Sequence, residues 1–155
     1  MTLRTQFNDA LKTAMLGKDE RGVSTIRMVM AKLKDLDIAA RPSGNANGIP
    51  DEAITSMLQG MVKQRRESIE LYKQGNRQDL VDQETAEIAL IERFLPTQLD
   101  EAAARAAVKA LVAEIGAAGI KDMGRTMAAL KERYAGQMDF SKASALVKEA
   151  LTGAG

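Results

Sequence analysis

Along the chain, apolar residues return every three or four positions and rarely alternate, which is the period of a helix and not of a strand. Leu3, Phe7, Leu11 and Ala14 give the first such stripe, over about residues 2 to 16, with Gly17 placed as its C-terminal stop. Val23, Ile26, Met30 and Leu33 give a second, running from Asp19 to about Ala39. The stretch ARPSGNANGIP, residues 40 to 50, has no period and reads as a mobile connection. Pro50 suits a first helical position, and Asp51 and Glu52 suit the positive end of a helix dipole. The third stripe follows through Ile54, Met57, Leu58, Met61, Val62, Ile69 and Tyr72 to about Gln74, where Gly75 ends it. Asn76 is then expected to cap a fourth helix carrying Leu80, Val81, Ile88, Ile91 and Leu95, which stops because a residue before proline is pushed out of helical conformation.

Beyond Pro96 the stripes are shorter. Asp100, Asp122 and Asp139 are expected to cap helices over 101 to 116, 123 to 135 and 140 to 151. Their inward faces read Val108, Leu111, Val112, Ile115, then Met123, Met127, Leu130, Tyr134, then Ala143, Leu146, Val147, Ala150. The pattern therefore predicts an all-α chain of about seven helices: a four-helix domain over 1–95, a hinge over 96–99 and a three-helix tail over 100–155. Composition points the same way, with only 3% aromatic residues and 3 prolines in 155 residues.

Residue inventory narrows the chemistry. Without cysteine or histidine there is no disulfide, thiolate nucleophile, imidazole base or His-Cys metal cluster, so neither a metal nor a cofactor is expected, and a cytoplasmic setting fits. The N-terminus is too polar for a signal peptide, and no stretch approaches the roughly 18 apolar residues of a membrane span. Lys+Arg of 22 against Asp+Glu of 21 leaves a weak overall field. Any grip on a polyanion has to come from local geometry.

The most highly charged run is VKQRRESIELYKQGNRQDLVDQE, residues 62 to 84. Projected at about 100° per residue, most of its charges leave the third stripe, but Arg65 and Ser68 fall inside it, and Glu84 and Glu87 fall inside the fourth. A tight turn at Gly75-Asn76 would set Arg65 opposite Glu87 and Ser68 opposite Glu84. The expectation is a structural clamp: Arg65 held by Glu87, Glu84 as a second acceptor and Ser68 completing the hydrogen bonds. The competing reading, a catalytic carboxylate pair, lacks a neighbouring nucleophile, base or metal set. No catalytic residue is assigned. Lys63, Arg66, Lys73 and Arg77 alternate with Glu67 and Glu70 as a solvated face.

A second candidate is IKDMGRTM. Asp122 is placed to cap the helix, Gly124 leaves first-turn N–H groups unshielded, and Lys121 and Arg125 add positive charge at a helix start suited to phosphate. Arg125 projects away from the apolar stripe; Lys142 and Lys148 on the last helix would widen the patch. The alternative is that Gly124 serves close packing against a neighbouring helix and Asp122 is an ordinary cap. With no Trp, 2 Tyr and 3 Phe, stacking on unpaired bases is not an expected main mode, so RNA would be held by shape and phosphate contacts.

Taken together, the charged run, the following ERFLPTQL and the later KDMGRTMAALK resemble the GatB/YqeY family over nearly the whole chain. These are small two-part helical proteins similar to the C-terminal region of the GatB polypeptide of the tRNA-dependent amidotransferase. The closing MDFSKASALVKEAL departs from the family's usual Ala-Asp-Gly turn. The resemblance implies a tail that contacts the outer corner of tRNA, while amide transfer belongs to other parts of the complex. Three functions follow as expectations: a non-catalytic tRNA-binding accessory protein; a helical protein-interaction module holding a protein partner in an apolar groove between its two parts; or a component of a glutamine-dependent carbon–nitrogen ligase.

Overall fold

The computed structural model describes residues 2–153. Among them the chain forms seven α-helices and no strand, and it falls into two compact units, residues 1–95 and 96–155.

The first unit holds α1 (Leu3–Leu16), α2 (Glu20–Ala40), α3 (Asp51–Gln74) and α4 (Gln78–Glu92). Thr2 starts α1 by accepting the Thr5 N–H, and Asp19 starts α2 by accepting the Gly22 N–H. Its core gathers Leu3 and Phe7 of α1, Val29 and Leu33 of α2, Ile54 through Val62 of α3, and Ile91 of α4. Phe94 closes it edge-on to Phe7, with ring centroids 4.9 Å apart. Within α2 the buried face includes Thr25 and Val29, which the predicted stripe passed over, while Val23 and Met30 lie half-buried beside it.

The helix connections differ from expectation in an instructive way. Gly17 and Gly75 end their helices, yet neither is left-handed; φ is +54° at Lys18 and +56° at Asn76, the residues that follow. Asn76 is thus consumed by the turn, a conformation its short side chain tolerates, and Arg77 takes the cap position of α4 without a side-chain cap bond. Pro50, expected inside α3, is its cap residue. Helix α4 stops at Glu92, not Leu95: the N–H groups of Arg93, Phe94 and Leu95 bond three residues back, tightening the chain ahead of Pro96.

The connection over 40–50, predicted mobile, is pinned. Arg4 makes two 2.8 Å bonds to the Asp37 carboxylate and a third, 2.9 Å, to the Ile49 carbonyl, while the Ile49 N–H donates to Asp37 at 2.9 Å. Gly48, at φ +92°, lies against this network; a Cβ there would sit 2.6 Å from Arg4 Nη2. A 3-10 turn over Arg41–Ser43 extends α2 into the connection.

The second unit holds α5 (Glu101–Ile115), α6 (Met123–Arg133) and α7 (Phe140–Thr152). Asp100 and Asp139 cap α5 and α7 through the Ala103 and Ser141 N–H groups, and Gly116 at φ +66° ends α5. Ala104, Val108, Leu111, Leu130, Met138, Ala143 and Val147 form its core. Leu111, Leu130, Val108 and Val147 fill its centre, and Met123, Met127, Tyr134 and Phe140 pack around them partly buried.

Candidate functional site

On α3, Arg65 lies one turn beyond the bulky core residues and is 8% exposed. Its Nε donates to Glu87 Oε2 of α4 at 2.9 Å, and Glu84 Oε2 lies 3.8 Å away. The remaining donors of the guanidinium go to the Met61 carbonyl at 3.2 Å and to the Met28 sulfur of α2 at 3.0 Å. Ser68, expected to complete the set, is half-buried and is not among the partners of Arg65. One cation therefore serves two carboxylates. Burial pushes the Glu84 carboxyl up from its ordinary range, the Glu87 charge adds to this, and Arg65 only partly opposes it. The arrangement joins α3 to α4 across their seam; among the described residues nothing near it forms a cluster of metal-ligating groups.

In the second unit a 3-10 turn, Ile120–Asp122, runs directly into α6 and packs against α7, the helix bearing Lys142. The Asp122 side chain does not cap α6. It turns back to accept the Ala118 N–H at 2.8 Å, and this bond, ahead of nearby Arg125, holds its carboxyl below the ordinary range. Two glycines in GAAGIKD force a tight loop whose free N–H needs an acceptor, and Asp122 is the nearest one. The N–H groups of Asp122 and Met123 are themselves spent on the Gly119 and Ile120 carbonyls, so the helix start is less open than its sequence suggested.

Arg125, expected to face outward as a contact residue, is half engaged. Its Nη1 donates 2.8 Å to the Ile115 carbonyl at the end of α5, and its Nε lies 3.5 Å from Asp122. It joins two helices. Gly124 is exposed, and a Cβ built on it would meet nothing within 4 Å, which removes close packing as its reason.

What stands out on this unit is its lysines. Arg105 pairs with Glu149 and Glu101, Arg133 with Glu114, and Arg125 with Asp122. Asp100 and Asp139 are turned onto helix starts. Among the described residues, Lys109, Lys121, Lys131, Lys142 and Lys148 are exposed with no carboxylate in ion-pair range, and Glu132 is the one carboxylate left outside a pair or cap. Between α5 and α7 lies an open groove of about 460 Å³, floored by Val112, Leu146 and Ala150 and edged by Arg105, Lys109 and Glu149. It belongs to the tail alone. No described helix is long and apolar enough to cross a membrane.

Comparison with known proteins gives a consistent picture. The family model described as Yqey-like protein matches residues 4–151. Several fungal proteins named "Altered inheritance of mitochondria protein 41, mitochondrial" are similar. The one from Lachancea thermotolerans is 33% identical over 85 residues, covering 55% of this chain and 43% of that protein. The one from Meyerozyma guilliermondii is 36% identical over 94 residues, covering 61% and 46%. The one from Pyrenophora tritici-repentis is 30% identical over 130 residues, covering 79% and 68%. The chain spans about half the length of the first curated relatives it matches.

Proposed function

The chain belongs to the YqeY-like family, and from that premise we propose that it is a non-catalytic accessory protein whose tail binds tRNA through phosphate and shape contacts. One observation carries the reading: the tail's arginines are spent on carboxylates while five exposed lysines are not. Unpaired cations on a rigid support release counterions when they meet a phosphate backbone. Lys121, Lys142 and the bare backbone at Gly124 are the contacts assigned to this role. Arg125 supports the site by holding the end of α5. The names of the fungal relatives describe a mitochondrial-inheritance trait and a mitochondrial setting for those proteins. For this chain a cytoplasmic setting remains part of the proposal.

The test is electrophoretic mobility with bulk tRNA at two salt concentrations. A Lys121→Ala/Lys142→Ala/Lys148→Ala variant leaves every described ion pair intact. Wild type is expected to shift tRNA in a salt-sensitive way, and each lost lysine contact lowers the slope of log affinity against log salt by about one. No salt-sensitive shift, or an undiminished shift in the triple variant, overturns the reading.

The α5–α7 groove favours a second reading, a module that seats a protein partner. Leu146→Glu would block such a partner while leaving the tRNA shift in place. Membership in a carbon–nitrogen ligase complex would instead show as co-purification with a glutaminase.

A further inference from the structure

Among the described residues Met15, at 52%, and Met28, at 36%, are the exposed methionines; Met57, Met61 and Met138 are buried. Met28 brings its sulfur to a charged group: Sδ accepts from Arg65 Nη2 at 3.0 Å, on the same guanidinium whose Nε holds Glu87. A thioether is a weak acceptor, and this one is the soft end of an otherwise charge-assisted network. It is also the most exposed member of that network.

We propose that Met28 is a reversible oxidation site whose state controls the Arg65–Glu87 pair. Hydrogen peroxide delivers one oxygen to sulfur: an S–O bond forms, the O–O bond breaks, sulfur gives up two electrons, and the second peroxide oxygen leaves as water with both protons. The sulfoxide is polar, chiral and a strong acceptor. On the lone pair facing Arg65 the new oxygen has to lie between sulfur and guanidinium, where a 3.0 Å separation leaves no room. The head of Arg65 is displaced and its Nε is drawn from Glu87. Methionine sulfoxide reductases, one for each sulfoxide epimer, return the thioether. Met15 is the built-in control, since it is more exposed yet its sulfur contacts no member of this network.

The experiment treats the full chain with graded hydrogen peroxide, maps each methionine by peptide mass spectrometry and follows the thermal midpoint. Wild type, Met15→Leu, Met28→Leu and the Arg65→Met/Glu87→Leu double variant are compared, each against its own untreated midpoint. Met15 and Met28 are expected to convert ahead of the buried methionines. Oxidation should lower the midpoint of wild type and Met15→Leu by about 4 °C or more. The two reductases together should restore it. Met28→Leu and the double variant should not respond. A Met28 that stays reduced while Met15 converts overturns the proposal, as does a converted Met28 with an unmoved midpoint. A Met28→Leu variant that falls as far as wild type overturns it equally.

Discussion

In residues 1–95 a guanidinium and two carboxylates lie in the seam between two helices, with side chains only 10%, 12% and 17% exposed, whereas every described ion pair of residues 96–155 has at least one partner a third or more in water. The difference is where the charged residues fall relative to the apolar stripes. Phe7, Ile54, Leu58 and Ile91 build a thick interior against α3 and α4, so a polar residue on the stripe is removed from water and has to be satisfied internally. In the tail no described charged side chain lies on the buried face around Val108, Leu111, Leu130 and Val147, so its ion pairs stay at the edge of the core, in contact with water. The buried pair of the first unit joins α3 to α4 out of water; the pairs of the second join α5 to α6 and α7 at the surface.

The largest expected effect tests that division directly. Arg65→Met leaves Glu87 and Glu84 without their cation and should cost about 3 kcal/mol, Glu87→Leu leaves Arg65 only the longer contact to Glu84 and should cost less, and the double variant should recover part of the loss, with Glu84 still unpaired. The matched cycle in the tail, Arg133→Met with Glu114→Leu, breaks a pair with side chains 46% and 55% exposed and should leave the thermal midpoint nearly unmoved and the two changes additive. Urea unfolding of both cycles decides it. Additive behaviour at Arg65 and Glu87 would show that the inward pair is not coupled.

The next effect depends on pH. Arg4 holds the Asp37 carboxyl down to about 2, with the Ile49 N–H assisting. A folded-state value below the unfolded one stabilises the protein above about pH 4, and this contribution is lost as pH falls toward 2. Its ceiling is about 2 kcal/mol, less in practice because the Arg4 side chain is 35% exposed. Asp37→Asn should lower stability at neutral pH and flatten the acid limb between pH 4 and 2. Glu84 carries the opposite sign: its raised value favours the fold at low pH and that contribution is lost as pH rises through it. In the tail, Glu114 and Asp122 are also held down; Glu114 is more than half exposed and should add little, while Asp122, as shielded as Asp37, should contribute to the acid limb with the same sign.

These contrasts also mark what periodicity can reveal. Arg65 and Glu87 were legible because each interrupts an apolar stripe, and a one-turn hairpin leaves little freedom in what opposes what. The stops at Gly17 and Gly75 and the caps at Asp100 and Asp139 were legible because a helix end has a local chemical signature. Asp37 was not. It sits among KLKDLD on a polar face, its cation is 33 residues away, and its other partner is a backbone N–H in a connection with no period. The cap expected of Asp122 failed for the same reason, and the hold of Arg125 on α5 went unread: their partners are backbone groups of Ala118 and Ile115, and side-chain patterns carry no record of which backbone groups lack a partner.

The smallest expected effect sharpens the comparison most, because the two units supply a matched pair of glycines. Gly60 on α3 and Gly124 on α6 are both exposed helical residues at which a Cβ would meet nothing within 4 Å. Neither packing nor a positive φ calls for glycine at either site. Replacing glycine by alanine within a helix removes backbone entropy from the unfolded chain, worth up to about 1 kcal/mol. Gly60→Ala, in the middle of a 24-residue helix, should gain nearly all of that; Gly124→Ala, in the first turn of α6, should gain less. Thermal midpoints read this half of the prediction. The other half is read by tRNA mobility: Gly60→Ala leaves it unchanged, while Gly124→Ala weakens it several-fold, since a methyl group holds a phosphate away from the backbone. Equal, unaltered tRNA shifts in both variants would place the tail's contact on its lysines and not on the bare start of α6.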